Sequence, residues 1–285
     1  MATSKRERQK AGRRERLERM QRHAKRRKNV RRGIIVAIAA ALVVGFSAFL
    51  FSGGKPTSTT TTTTTAASGT TTTTIAGQTA ANLAAQKTSN AKAVAYGCPA
   101  STATRVNTLS WKTAPVMSIK AANTYDADFD TTAGDFVVQL DAAQAPITVN
   151  NFVFLAEHNF YKCVVFQRTI PGFMIQGGDP TGTGSGGPGY TIADEYPKAG
   201  KPTYPLYSIA MANTGSPHTG GSQFFIVTGT SGETLPASYS LFGKVISGSS
   251  VVMTIQSAGN PSESANGVPP LVTYRILNIT IRTTS

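Results

Sequence analysis

The sequence has few of the residues that mark a metal centre or a bridged scaffold. Its 285 positions include 2 cysteines, which excludes a disulfide-rich framework and a four-thiolate zinc site. Its 3 histidines, His23, His158 and His218, lie apart from one another and from both cysteines, so no metal is expected. Acidic side chains are scarce, 14 against 28 Lys+Arg, for a formal charge of +14. That excess is local. Residues 1–32 carry 15 of the Lys+Arg and 3 of the Asp+Glu, leaving 13 against 11 downstream. The charge therefore describes a basic tail on a nearly neutral body, not a uniformly basic nucleic-acid binder. The tail also lacks any aromatic residue on which bases could stack, so nucleic acid is not expected as a partner. The glycine-rich run Gly182–Gly189 lacks G-K-[ST] and a following helix signal, which excludes a phosphate loop.

What is present first is topology. Residues 34–51, I-I-V-A-I-A-A-A-L-V-V-G-F-S-A-F-L-F, contain no charge. As a helix they reach about 27 Å, close to a bilayer core of about 30 Å. Cleaved leaders have a shorter apolar stretch and a small-residue cleavage site; no A-x-A follows here, so a retained anchor is expected. Arg26, Arg27, Lys28, Arg31 and Arg32 stand on one side and Lys55 alone on the other. The positive-inside rule then puts the N-terminus in the cytoplasm and everything beyond residue 52 outside. The expected organisation is a basic cytoplasmic tail over 1–33, a transmembrane helix over 34–51, a disordered linker over 52–95, a strap over 96–115 and a folded domain over 116–285. The linker contains the threonine runs Thr59–Thr65 and Thr70–Thr74 and few large apolar groups, too little to offset its ordering entropy. Cys98-Pro99 and Trp111 suggest that the strap lies on the folded domain.

In the folded domain Phe136, Val138 and Leu140 alternate with Val137 and Gln139, the pattern of a half-buried strand. Pro146 opens a helical stretch in which Phe152, Leu155 and Ala156 share a face. Short β-rich runs follow at Val164–Phe166, Phe173–Ile175, Tyr207–Met211, Phe224–Val227, Leu241–Ile246 and Leu271–Ile281, with a second helix near Ser250–Gln256. Many short strands with two helices predict a mainly β domain, a closed barrel with helices at its ends.

Three segments carry a specific likeness: Phe166–Asp179, F-Q-R-T-I-P-G-F-M-I-Q-G-G-D; Ile209–Ile226, I-A-M-A-N-T-G-S-P-H-T-G-G-S-Q-F-F-I; and Leu241–Val245, L-F-G-K-V. In order and spacing they resemble the cyclophilin family of peptidyl-prolyl cis-trans isomerases, from about Asp135 to the C-terminus. The resemblance implies a closed eight-stranded antiparallel barrel capped by two helices, with a groove on its outer face. It implies no cofactor and proline-containing polypeptides as partners; a monomer is expected. The tail, single anchor and Thr-rich spacer resemble actinobacterial membrane-bound members.

An X–Pro bond isomerises in tens to hundreds of seconds against a resonance barrier near 20 kcal/mol. Nothing need be cleaved or covalently trapped. The requirements are an apolar slot for the ring, a donor that favours the twisted amide, and polar groups that hold the flanking backbone. The resemblance places the donor at Arg168 and the slot at Phe173, Met174, Phe225 and Leu235. It places backbone contacts at Gln176, Ala212, Asn213 and Gln223. Three positions depart from the family pattern. Gln167 and Tyr239 stand where His is frequent, and Thr234 where Trp is frequent. Gln167 does not titrate near neutral pH, Tyr239 can still wall the slot, and loss of the indole predicts weak binding of cyclosporin-type cyclic peptides. His218, in a polar loop, is given no catalytic role, because the reaction needs no base.

Cys98 and Cys163 both fall outside the membrane on this topology, in the compartment where disulfides persist. A bond that staples the strap to the domain and two separate thiols both remain open. Rival functions are a proline-peptide binding or chaperone module with little turnover, and an adaptor that works through its basic tail.

Overall fold

The computed structural model describes residues 75–284. The basic tail, the expected transmembrane helix over 34–51 and most of the Thr-rich linker lie outside the described residues. Among the described residues no helix is long and apolar enough to cross a membrane.

The elements run α1 (Ala80–Ala95), β1 (Thr124–Thr131), β2 (Gly134–Leu140), α2 (Pro146–Glu157), β3 (Arg168–Ile170), β4 (Met174–Gly177), β5 (Ser208–Met211), β6 (Phe224–Val227), α3 (Thr230–Glu233), β7 (Leu241–Ser247), α4 (Ser249–Ser257) and β8 (Ile276–Thr284), with a 3₁₀ turn at Glu263–Ala265 before the last strand. The eight strands form one antiparallel sheet in the order β3-β4-β6-β5-β7-β2-β1-β8. Its curl follows from side-chain alternation. Tyr125, Ala127 and Phe129 of β1 and Phe136, Val138 and Leu140 of β2 all point into one core, and the paired Phe129 and Phe136 stack at 4.5 Å. Val149, Phe152 and Leu155 of α2 and Val252 and Ile255 of α4 complete that core. Helix α2 has no side-chain cap of its own. Glu195 supplies it: its carboxylate accepts from Ile147 N at 2.9 Å, from Thr148 N at 2.8 Å and from the Thr148 hydroxyl at 2.8 Å, where the helix dipole favours negative charge.

Two sequence expectations are corrected. The barrel is not closed by a strand ladder, since β3 and β8 stand at opposite ends of the strand order. Between them runs a seam with one isolated bridge, Val165 to Arg275, flanked by Phe166 N donating to Tyr274 O at 3.0 Å and Ile276 N donating to Val164 O at 2.8 Å. The ladder stops there for physical reasons. Pro269 and Pro270 have no N–H to donate. The peptide groups of Thr273 are engaged elsewhere: its N–H donates to Gln86 Oε1 at 2.7 Å and its carbonyl accepts from Ser89 Oγ at 3.1 Å.

Those partners belong to the second correction. Residues 80–95, expected inside the disordered linker, form helix α1. Thr79 starts it with a capping box to Asn82. Polar side chains attach it: Gln78 Nε2 donates to Leu271 O at 2.7 Å, Ser89 Oγ to Thr132 Oγ1 at 2.8 Å, and Lys92 Nζ to Thr131 O at 2.6 Å. Downstream of α1, Cys98 is bonded to Cys163, with the two Cα atoms 5.5 Å apart. Residues 96–115 do lie on the domain. The fully buried Arg275 guanidinium donates to the carbonyls of Pro99 and Ala100. Asn107 Nδ2 donates to Phe160 O at 2.8 Å, Val106 N to Pro180 O at 3.0 Å and Trp111 N to Pro188 O at 2.8 Å.

Candidate active site

Register builds the site. Arg168 of β3 is paired with Gln176 of β4, Gln176 with Phe225 of β6, and Phe225 with Ala210 of β5. Because side chains alternate along a strand, this row faces away from the main core, to which Ile175, Ile209, Phe224 and Ile226 contribute from the same strands. On that outer face Met174, Tyr204, Ala210, Phe225 and Val227 form a second apolar cluster, against which Ile170, Phe173, Ala212, Leu235, Tyr239 and Leu241 pack. Phe225 meets Tyr239 edge to face at 5.2 Å. The structure thus brings Phe173, Met174, Ala212, Phe225, Leu235 and Tyr239 together beside Arg168. Thr234 lies apart from that cluster, exposed at the end of α3, where its hydroxyl donates to Ser231 O at 2.8 Å.

Arg168 is held by neutral oxygens. Nε donates to Asn266 O at 3.1 Å, Nη2 to Asn266 Oδ1 at 2.7 Å and Nη1 to Gln176 Oε1 at 3.3 Å. Three of its five N–H groups are used and two stay free. Among the described residues no carboxylate pairs with it. Burial pushes its pKa below the ordinary arginine value, and the nearby Tyr239 phenol acts the other way. Burial likewise raises the Tyr239 phenol, partly offset by the charge of Arg168, so it is neutral at physiological pH.

A line of amides continues from the arginine. Gln176 Nε2 donates to Gln223 Oε1 at 3.0 Å, the Gln167 amide abuts Gln223 at the same distance, and Gln223 Nε2 donates to Gly184 O at 2.9 Å and Gly186 O at 3.0 Å. Gln167 is only 5% exposed, so it backs this line rather than facing the groove. Asn213 brackets a loop: Nδ2 donates to Ser238 O at 2.8 Å and Oδ1 accepts from Gly215 N at 3.0 Å. His218 is exposed and bonded to Asp194, which accepts from its backbone N–H at 2.6 Å.

Three contributors were missed from sequence. Asn266 sits in the left-handed region at φ +48°, which Asn tolerates and which aims its backbone and side-chain oxygens at one guanidinium. Its only sequence signal was the turn dipeptide Asn266-Gly267. Tyr204, fully buried, donates to Tyr239 O at 2.9 Å and accepts from Tyr239 N at 3.0 Å, which fixes the wall of the slot. Asp179, the last residue of the Phe166–Asp179 segment, accepts from Gly184 N and Gly186 N behind Gln223.

A half-buried guanidinium with no carboxylate partner among the described residues, beside an aromatic and thioether slot with amides along one rim, defines a site that can take a proline ring and donate to its nitrogen. A family model described as "Cyclophilin type peptidyl-prolyl cis-trans isomerase/CLD" matches residues 127–281. The chain is 46% identical over 138 residues to the peptidyl-prolyl cis-trans isomerase A of Mycobacterium tuberculosis, covering 43% of this chain and 74% of that one. It is 43% identical over 130 residues to the peptidyl-prolyl cis-trans isomerase-like 1 of Emericella nidulans, covering 45% and 78%. A crystal structure of a cyclophilin type peptidyl-prolyl cis-trans isomerase from Cryptosporidium parvum is similar at TM-score 0.50 and 34% identity, over 57% of this chain and 99% of that one. The chain belongs to the cyclophilin-type peptidyl-prolyl isomerase family, and it is a peptidyl-prolyl cis-trans isomerase.

Proposed function

We propose that this isomerase is a monomer of the actinobacterial membrane-bound kind, held by residues 34–51 with its folded domain outside the cell membrane. There it accelerates isomerisation of X–Pro bonds in proline-containing polypeptides that fold on that side. Two features support the location. The charge-free run follows a dense basic cluster, and the Cys98–Cys163 bond belongs to an oxidising compartment.

Arg168 carries the reaction in this reading. A planar amide has no basic nitrogen. As the bond twists, the prolyl nitrogen regains its lone pair, and a guanidinium N–H that donates to it stabilises the twisted form more than the planar one. Differential stabilisation of that kind lowers a barrier. The ring sits among Phe173, Met174, Phe225 and Leu235 with Tyr239 as a wall. Gln176, Gln223 and Asn213, with the backbone at Ala212, hold the flanking peptide, and Gln167 supports Gln223. The single observation that carries the reading is the guanidinium fixed by Asn266 and Gln176 with two N–H groups unspent.

The test is exchange NMR on an Ala-Pro peptide. Arg168→Ala should lower kcat/KM by about 10²- to 10³-fold, the usual effect of removing one such donor, while the peptide still binds. Unchanged exchange in a folded Arg168→Ala protein would reject the assignment. Surface labelling of Lys55→Cys in intact cells tests the orientation.

A further inference from the structure

The amides beside Arg168 have a direction, and something must set it. A glutamine amide is an acceptor at one end and a double donor at the other, and either end fits the same space. Gln176 helps to hold Arg168 only if its oxygen faces the guanidinium. That requires its nitrogen to face Gln223, and Gln223 to present oxygen. Gln223 does so because its own nitrogen is committed to Gly184 O and Gly186 O, at 2.9 and 3.0 Å.

Those two carbonyls are fixed from behind. The Asp179 carboxylate is 1% exposed and no cation pairs with it among the described residues. Oδ2 accepts from Gly184 N at 2.6 Å and from Gly186 N at 3.1 Å. Oδ1 accepts from Thr181 N at 2.7 Å and from the Thr181 hydroxyl at 2.7 Å. Two of the residues whose N–H groups close on Asp179, Gly184 and Gly186, are thus the ones whose carbonyls meet Gln223. With both of its oxygens filled by N–H and O–H donors, the carboxylate tolerates only one orientation of this loop.

We infer that Asp179 is a positioning residue for the isomerase reaction: by folding residues 181–186 around itself it orients the Gln223 amide, through it the Gln176 amide, and so the acceptor that aims Arg168. It touches no substrate. The inference rests on Arg168 being the donor.

Two variants of the full-length chain test it, each confirmed as folded by its melting curve. Asp179→Asn keeps the shape but turns an amide nitrogen on backbone N–H groups. Gly186→Ala keeps the charge but brings a Cβ to 2.0 Å from Asp179 Oδ1. Each should lower kcat/KM on the Ala-Pro peptide by about 10- to 100-fold, the scale of small misplacements at an active site. In a Gln176→Ala background, where the line is already cut, each should cost less than about twofold more. Wild-type kcat/KM in either folded variant overturns the inference. So does a full additional loss in the Gln176→Ala background, because a merely structural role would persist there. Should neither variant fold, the wild-type chain decides: hydrogen exchange of the Gln223 side-chain amide must be slow, and exchange as fast as that of a solvated glutamine overturns the inference. An active Arg168→Ala protein would remove the donor assignment separately. The Gln176 side-chain amide resonance of Arg168→Ala would still have to shift on Asp179→Asn.

Discussion

Arg168 is a cation whose partners are all uncharged, and that sets what its neighbours can be. A carboxylate at Asn266 would neutralise the group the reaction needs; an amide aims it and leaves the charge. Replacing Asn266 by Gly keeps the left-handed backbone and its carbonyl but removes Oδ1. The expected result is a kcat/KM lower by about tenfold, the value of one hydrogen bond to a charged group, with the melting temperature nearly unchanged. The pH profile follows from the same residues. Gln167 does not ionise. The Tyr239 phenol is raised above its ordinary value by burial, against the opposing charge of Arg168, so it stays neutral across the neutral range. Arg168, though lowered by burial, remains a cation. The activity measured by exchange NMR should therefore be flat between about pH 6 and pH 9. A rise centred near the histidine range would contradict this. At this scale the motif made Arg168, Gln176 and the slot residues legible as a group. Asn266 was not, because it reaches Arg168 across 98 positions of sequence, and no local pattern encodes that pairing.

Among the elements, β6 was read to the residue and β2, α2 and α4 closely, because their apolar spacing matches what they bury. Two elements hid. Strand β1, T-Y-D-A-D-F-D-T, alternates correctly, but Asp126, Asp128 and Asp130 fill its outer positions and aspartate is unusual in strands. Helix α1 has no stripe of large apolar side chains to detect, since it adheres through amides, hydroxyls, the Lys92 ammonium and small alanines such as the buried Ala93. Its alanine content favours helix on propensity alone, a signal overridden by the neighbouring threonine runs. Gln86 is the clearest of its contacts, a side-chain amide that mimics the peptide of a missing strand against Thr273. Gln86→Ala should lower unfolding stability by about 1–2 kcal/mol, measured by urea titration, with kcat/KM unchanged because α1 lies outside the catalytic row.

For the molecule as a whole, the strap and its disulfide join parts that the sheet leaves separate. The bond closes a loop with a sequence separation of 65, which by loop entropy stabilises the fold by up to about 4 kcal/mol. Trp111 is the only tryptophan, and its ring packs on Phe154 at 5.1 Å. Reduction should therefore lower the unfolding midpoint and shift the tryptophan emission to the red as the strap loosens. An unshifted spectrum with an unchanged midpoint would show that the strap holds without its staple.

The seam between β3 and β8 has a practical consequence for anyone dissecting the protein. A fragment started at residue 116, or at residue 127 where the family model's match starts, loses Gln78, Gln86 and Ser89. It also strips Arg275 of the two carbonyls that receive its charge. Such a piece would present a raw peptide edge to its own copies and clump, however intact its catalytic face. The shortest cut expected to yield a well-behaved soluble preparation begins upstream of Gln78.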